Sequence, residues 1–107
     1  MESKDTIKRL VANAKKAQLA IEDYSQAQLD AMVKAVAKII YEHREILSVE
    51  AHEETGLGLV ENKISKHISV TANQWHFLKD KKSTGLISED KELGLLTYAK
   101  PMGVVGS

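Results

Sequence analysis

Residues 83–107 read STGLISEDKELGLLTYAKPMGVVGS, and in this stretch the hydrophobic period changes from helical to extended. Residues 85–88 and 93–99 contain β-branched and aromatic side chains, and the polar run Glu-Asp-Lys-Glu at 89–92 separates them. Two such runs around a polar turn are typical of a β-hairpin. The stretch therefore predicts two antiparallel strands.

A proline and a short apolar run follow the predicted hairpin. Pro101 has no N–H to donate, so it ends the second strand or confines it to the edge of a sheet. Residues 102–105 read Met-Gly-Val-Val and are followed by Gly106 and Ser107. The run resembles a buried parallel strand without the sheet to which such a strand would belong.

Upstream of the hairpin, apolar residues recur every three or four positions, which is the period of one helix face. Residues 5–22 form the first such stripe. Ser25 and Gln28 form a capping box, which predicts that a second helix starts there and runs to about residue 43. Residues 44–55 repeat the pattern. Periodicity leaves open whether the last two stripes form one bent helix or two helices.

A break and a longer helix precede the hairpin. Gly56 fits a helix C-terminus because glycine adopts positive φ without a Cβ penalty, and Gly58 keeps the connection short. The apolar spacing then predicts a helix over residues 59–82, with Glu61 near its positive end. The predicted fold class is mainly α, with four helical segments and a terminal β-hairpin.

The composition is that of an ordinary globular protein, with 43% hydrophobic and 28% charged residues among 107. This length suits one small domain or one piece of a larger domain. Basic and acidic residues balance at 15 each, so no excess charge favours nucleic acid or anionic lipid. No apolar stretch approaches the roughly 18 residues of a membrane span. We expect a cytoplasmic protein with no nucleic-acid or membrane partner.

Four histidines, His43, His52, His67 and His76, raise the question of a metal site. Zinc-binding helices place two histidines four positions apart. Gly56 stands four positions after His52, and none of the other pairs has that spacing. Solvated or partly packed histidines explain the pattern better, and we predict no metal site.

The other polar motifs have structural explanations. A solvated helix end accounts for the carboxylates of Glu50, Glu53 and Glu54, which could otherwise serve as an acid and a base. Residues 56–58 could begin a phosphate cradle, but Glu61 replaces the third glycine and a helix, not a strand, precedes the motif.

The remaining candidate side chains also favour a scaffold. Trp75 is expected to be a core or interface anchor. Three hydroxyl residues have no His or Asp partner at a recognisable spacing, namely Ser83, Thr84 and Ser88. The chain contains no cysteine and so offers no thiolate nucleophile. We predict no catalytic and no cofactor-binding residue in this chain.

Several short motifs occur in a fixed order along the chain. They are Glu-Glu-Thr-Gly-Leu-Gly at 53–58, Glu-Asn-Lys at 61–63 with Lys66, Lys-Asp-Lys-Lys at 79–82 with Gly85, and Lys-Pro-Met-Gly-Val-Val at 100–105. Together they resemble the start of coenzyme A-acylating aldehyde dehydrogenases, with Asn62 where Asp is expected. Residues 75–85 look most like enzymes that act on succinate semialdehyde, and the acetaldehyde and sulfoacetaldehyde types stay as alternatives.

The resemblance implies an oxidoreductase that converts an aldehyde, coenzyme A and NAD(P)+ to acyl-coenzyme A and NAD(P)H through a cysteine thioester. It places the cysteine and most cofactor contacts beyond Ser107, so this chain alone is expected to be inactive and to bind neither cofactor. In the α/β fold of that family, residues 1–82 would be the helical N-terminal segment. Residues 83–100 would be the hairpin of the oligomerisation sheet, and residues 101–107 the start of the nucleotide-binding domain.

Two functional hypotheses of different classes follow. The first is the N-terminal segment of an acylating dehydrogenase, which forms homo-oligomers through its hairpin and helix faces. The alternative is a free-standing helical protein-interaction module without enzymatic activity, which binds a partner through its amphipathic faces. A small regulatory or nucleic-acid-binding protein has no basic patch to support it.

Overall fold

The fold is mainly helical and ends in a β-hairpin, which confirms the predicted class. A computed structural model describes residues 2–107. In chain order its elements are α1 (Glu2–Ile21), α2 (Gln26–Glu42), α3 (Arg44–Thr55), α4 (Val60–Ile68), a π-helical turn (Ser69–Asn73), α5 (Gln74–Leu78), β1 (Gly85–Asp90) and β2 (Leu95–Ala99).

The start of α2 is fixed by the predicted capping box. The backbone N–H of Ser25 donates to Gln28 Oε1 at 2.9 Å, and the backbone N–H of Gln28 donates to Ser25 Oγ at 3.2 Å. Each side chain thus satisfies an amide that the first turn of a helix leaves without a helical partner. The prediction of a helix start at Ser25 is confirmed.

The two stripes after Ser25 form two helices rather than one bent helix. His43 separates α2 from α3 with φ −101° and ψ 15°, outside the helical range. Its ring Nδ1 lies 2.9 Å from the Ile39 carbonyl oxygen. Arg44 donates from Nη1 to the Tyr41 carbonyl at 2.9 Å and lies over the Tyr41 ring, 4.3 Å from its centroid. These contacts hold the junction in place.

The break after α3 is a left-handed glycine cap, as predicted. Gly56 has φ 65° and ψ 12°, and its N–H donates to the His52 carbonyl at 2.7 Å. Thr55 Oγ1 donates to the Ala51 carbonyl at 2.8 Å and accepts from the Leu57 N–H at 3.2 Å. The last turn of α3 is therefore closed by its own side chains, and α3 ends at Thr55.

The helix predicted over residues 59–82 differs from the structure in two respects. A π-helical turn at Ser69–Asn73 interrupts it, and it ends at Leu78 instead of residue 82. The chain turns after Leu78, where the Lys81 N–H donates to the Leu78 carbonyl at 2.9 Å. Lys81 Nζ lies 4.6 Å from the centroid of the Phe77 ring, so this lysine packs on an aromatic face instead of extending the helix.

The hairpin is present, but its turn lies two residues later than predicted. β1 and β2 pair antiparallel, with Leu86 opposite Tyr98 and a β-bulge between Leu86 and Ser88. Asp90 Oδ1 accepts from the N–H groups of Glu92 and Leu93, each at 3.1 Å. This Asx turn starts at Asp90, so Glu89 and Asp90 belong to β1 and the prediction of a turn at 89–92 is wrong.

Residues 100–107 have no regular secondary structure, so the strand that residues 102–105 resemble is not formed here. Met102 is 94% exposed. A strand requires hydrogen-bond partners on a neighbouring strand, and the described sheet consists only of β1 and β2. Gly103 and Val104 instead line a shallow depression with Lys15, Gln18 and Leu19 of α1.

The chain divides into two compact units. The terminal unit comprises residues up to Leu29 together with Lys82–Ser107, and the middle unit comprises Asp30–Lys81. Within residues 2–107 no apolar side chain is buried. The buried residues there are Ser48 and Thr71, both polar. No helix within the described residues is long and apolar enough to cross a membrane.

Candidate functional site

The tightest polar cluster of the middle unit surrounds His67, on α4. Its ring Nδ1 lies 2.7 Å from the Lys63 carbonyl oxygen and 3.1 Å from Ser48 Oγ. Ser48, on α3, donates from Oγ to the Arg44 carbonyl at 2.6 Å. Thr71 Oγ1 donates to the His67 carbonyl at 2.5 Å. We call Ser48, His67 and Thr71 the hydroxyl clamp, because they join α3, α4 and the π-helical turn.

The hydrogen bonds of the hydroxyl clamp assign the His67 tautomer. The Lys63 carbonyl can only accept, so His67 Nδ1 must carry the proton that it donates at 2.7 Å. The single hydroxyl proton of Ser48 goes to the Arg44 carbonyl, so Ser48 Oγ also accepts from Nδ1. Because the ring nitrogen that faces Ser48 already carries a proton, that nitrogen cannot take the serine proton as a base. The Ser48–His67 pair is therefore a structural contact and not an activated nucleophile.

An apolar groove, the α2 groove, lies along α2 in the middle unit. Its first part is lined by Met32, Val33, Val36, Ala37, Ile40, Val70 and Thr71. Its second part shares Ala37 and Thr71 and adds Tyr41, Ala72, Trp75 and the side chains of Lys34 and Lys38. Trp75, which was predicted to be a core or interface anchor, is half-buried. The groove exposes apolar surface with few polar groups, which is typical of a packing surface.

The four histidines lie apart from one another. His43 and His76 are exposed, and the His52 ring Nδ1 lies 3.3 Å from the Leu57 carbonyl oxygen. Residues 2–107 bring together no three His, Cys, Asp or Glu side chains that could hold a metal ion. That the chain has no metal site stays a prediction.

The carboxylates and the glycine motif lie at the end of α3. Glu50, Glu53 and Glu54 are all exposed. Gly56 is the C-terminal cap of α3. A Cβ on Gly58 would lie 3.5 Å from Lys63 Cε, so a lysine side chain already packs against this loop. Residues 56–58 therefore end a helix and do not fit the turn between a strand and a helix that holds a dinucleotide phosphate.

The three hydroxyl residues near the hairpin have different surroundings. Ser83 Oγ accepts from Gln26 Nε2 at 2.9 Å, Thr84 is half-buried, and Ser88 is exposed on β1. Sequence reasoning missed Gln26, because its partners lie 57 and 58 residues away and no local pattern marks it. It also missed Ser48 and Thr71, for which the sole local signal is a hydroxyl four residues after the carbonyl it binds.

A sequence model of the aldehyde dehydrogenase family matches residues 1–107, the whole length of the chain. The chain belongs to the aldehyde dehydrogenase family. It is 42% identical over all 107 residues to a succinate-semialdehyde dehydrogenase (acetylating) of Clostridium kluyveri, of which it covers 24%. It is 41% identical over 102 residues to a sulfoacetaldehyde dehydrogenase (acylating) of Bilophila wadsworthia; 94% of this chain and 22% of that enzyme are covered.

Solved structures agree with this family. The chain is similar to a probable aldehyde dehydrogenase of Listeria monocytogenes, with TM-score 0.78 and 36% identity over 86% of this chain and 20% of that one. An acetylating aldehyde dehydrogenase of Geobacillus thermoglucosidasius gives TM-score 0.77 and 32% identity over 85% of this chain and 20% of that one. The chain thus spans a fifth to a quarter of the length of these relatives, and the resemblance to acylating aldehyde dehydrogenases is confirmed.

Proposed function

We propose that this chain is the amino-terminal helical scaffold of a coenzyme A-acylating aldehyde dehydrogenase, with succinate semialdehyde as the aldehyde. The parent enzyme would convert the aldehyde, coenzyme A and NAD(P)+ to acyl-coenzyme A and NAD(P)H. The observation that carries this proposal is the 42% identity along the entire chain to a succinate-semialdehyde dehydrogenase (acetylating).

The scaffold role is supported by the exposure of apolar side chains. Leu19 is 69% exposed, Val36 60% and Tyr98 57%, on α1, α2 and β2 respectively. Full burial of an apolar side chain of this size stabilises a fold by about 1.5–3 kcal/mol, and much of that stabilisation is missing where the side chain is more than half exposed. These faces therefore need a covering surface. In the proposed enzyme the rest of the subunit and a neighbouring subunit supply it.

The chemistry would be supplied by other parts of the parent enzyme. Thioester formation needs a thiolate, and the chain has no cysteine. NAD(P), when bound, accepts the hydride. The glycines at 56 and 58 do not fit a dinucleotide phosphate, for the reasons given above, so we assign no reaction step to this chain. Its own residues contribute packing.

Homo-oligomerisation through the hairpin and the helix faces belongs to the same proposal. The stability of a two-stranded ribbon in water is marginal, and both outer strand edges carry unpaired N–H and C=O groups.

The alternative, a free-standing interaction module without enzymatic activity, is favoured by the open α2 groove. It predicts a stable monomer, so the oligomeric state separates the two.

A chimera tests the scaffold role. This chain would replace the matching segment in the Clostridium kluyveri enzyme and, separately, in the Bilophila wadsworthia enzyme. We expect coenzyme A-dependent NAD(P)H formation in both chimeras, each with its own aldehyde, and a larger retained fraction of parental activity in the first. Folded but inactive chimeras would contradict the scaffold role. Higher retention in the second would favour the sulfoacetaldehyde type.

The isolated chain provides the complementary measurement. Purified 107-residue protein mixed with succinate semialdehyde, coenzyme A and NAD+ or NADP+ should form no NAD(P)H, since no thiol is available for an acyl-enzyme. Turnover above background in this cysteine-free material would show that the chain has chemistry of its own.

A further inference from the structure

The amide side chain of Gln26 bonds both residues that precede β1 in the terminal unit. Its Oε1 accepts from the Ser83 N–H at 2.7 Å and from the Thr84 N–H at 3.2 Å. Its Nε2 donates to Ser83 Oγ at 2.9 Å. The contacts join the first residue of α2 to the two residues that precede β1, across 57 and 58 positions of sequence.

The chemistry of the amide suits this position. An amide oxygen has two lone pairs, and Gln26 Oε1 uses them on the two consecutive backbone amides of Ser83 and Thr84. Ser83 and Thr84 precede the hairpin ladder, whose pairing begins at Gly85. Without Gln26, their N–H groups would lose these acceptors.

The helical side of the contact is rigid. Gln26 follows Ser25, and the Ser25–Gln28 capping box fixes the first turn of α2 on both sides of it. The Gln26 side chain is half-buried. A fixed helix start therefore holds the chain at the point where the hairpin begins.

The hairpin presents an apolar face. In the register of β1 and β2, Leu86 lies opposite Tyr98, and Leu96 lies two residues from Tyr98 on the same side of the ladder. These three side chains are 42%, 57% and 52% exposed, in that order. We name Leu86, Leu96 and Tyr98 the hairpin face.

We propose that Gln26 is a positioning residue that fixes the hairpin to the first turn of α2, and so sets the direction in which the hairpin face meets a second copy of this chain. The inference rests on the proposed association through the hairpin. Gln26 touches no reacting atom in this role. It acts through Ser83 and Thr84, whose backbone leads directly into Gly85.

The test compares two substitutions of Gln26 with a matched control. Gln26→Met keeps the length of the side chain but removes the acceptor and the donor. Gln26→Glu keeps two acceptor oxygens, to which the Ser83 hydroxyl can donate in turn, and so serves as the conservative rescue. Gln74→Met is the control, because Gln74 is an exposed glutamine at the first position of α5.

The readouts are amide hydrogen exchange at residues 83 and 84, far-ultraviolet circular dichroism, and light scattering over a concentration series. In Gln26→Met we expect these two amides to exchange about tenfold faster, the size expected for one lost hydrogen bond. We expect association to need several-fold more protein, with unchanged helical content. Gln26→Glu and Gln74→Met should behave like the unaltered chain.

Leu96→Lys distinguishes a failure of the positioning role of Gln26 from a failure of the proposed association through the hairpin. If Leu96→Lys weakens association but Gln26→Met does not, the hairpin associates and the positioning role of Gln26 is wrong. If Leu96→Lys leaves association unchanged, the hairpin face is not the association surface. In that case the proposed association through the hairpin and the positioning role of Gln26 are both wrong. Unchanged exchange at residues 83 and 84 in Gln26→Met would show that the contact itself does not form.

Discussion

Ser48 and Thr71 illustrate how a single side chain decides helix packing in this chain. Both are hydroxyl residues that bond the carbonyl four positions earlier, and they are 0% and 4% exposed. Their hydroxyl groups need no water because those carbonyls accept them. Their small size lets α3 approach α4, where larger apolar residues would hold the helices apart.

Substitution of Ser48 tests this at the residue scale. Ser48→Leu should lower stability by about 1–3 kcal/mol, because the added methylenes overpack a site with no free space. Ser48→Ala should cost about 1 kcal/mol, the net value of a lost hydrogen bond. The measurement is the midpoint of thermal unfolding by circular dichroism at one protein concentration. Ser65→Leu on the exposed face of α4 is the control and should stay within about 0.5 kcal/mol.

Gly56 carries a second prediction at this scale. Its φ of 65° lies in the left-handed region, so Gly56→Ala should destabilise the end of α3 by about 1 kcal/mol. Faster amide exchange at the C-terminal turn of α3 would report the loss. Gly106→Ala, at a glycine without positive φ, is the matched control. Equal effects at the two positions would contradict the role of the left-handed cap.

At the scale of elements, local signals predicted most boundaries. The capping box marked the start of α2, and Gly56 marked the end of α3, because each depends on residues within four positions. The π-helical turn at Ser69–Asn73 has no such local signal in the sequence. The helix end at Leu78 was also missed, because lysines that suit a helix C-terminus equally suit a turn outside it.

Substitution of Asp90 tests the turn that joins β1 to β2. Asp90→Ala removes the acceptor for the N–H groups of Glu92 and Leu93, so β1 and β2 should pair less stably. We expect faster exchange of those β2 amides that donate to β1, by a few-fold to about tenfold. Glu89→Ala, at the neighbouring exposed carboxylate, is the control. Exchange that responds equally to both changes would exclude the Asx turn as the cause.

At the scale of the whole molecule, the feature to explain is the exposure of apolar side chains throughout residues 2–107. Hydrophobic burial is the main favourable term in folding, and within residues 2–107 no apolar side chain is fully buried, so part of that term is missing. The missing burial must come from another surface, which agrees with a chain that spans a fifth to a quarter of its relatives.

Association is therefore the prediction for the whole molecule. Tyr98→Lys, in the hairpin face, and Val104→Lys should each weaken self-association with little loss of helical content, because a lysine at a buried contact leaves an unpaired charge. Tyr98 is 57% and Val104 43% exposed, so neither lysine is buried in the separate chain. Light scattering over a concentration series measures the change, and Glu92→Lys in the turn is the control.

Two results would contradict the proposed self-association through the hairpin. Substitutions that melt the helices and leave association unchanged would place the hairpin in a core. A cooperatively folded monomer at high concentration would favour the free-standing module over the scaffold of an enzyme.

The sequence by itself determined the mainly α class, the capping box at Ser25, the left-handed cap at Gly56 and the presence of a hairpin. Each follows either from the spacing of apolar residues or from the capping and turn preferences of residues close together in sequence, which are local signals. Only the tertiary structure decided that Gln26 binds Ser83 and that Ser48 meets His67. Those partners lie 57 and 19 residues apart, and hydrogen bonds over such separations exist only once packing has brought the elements together.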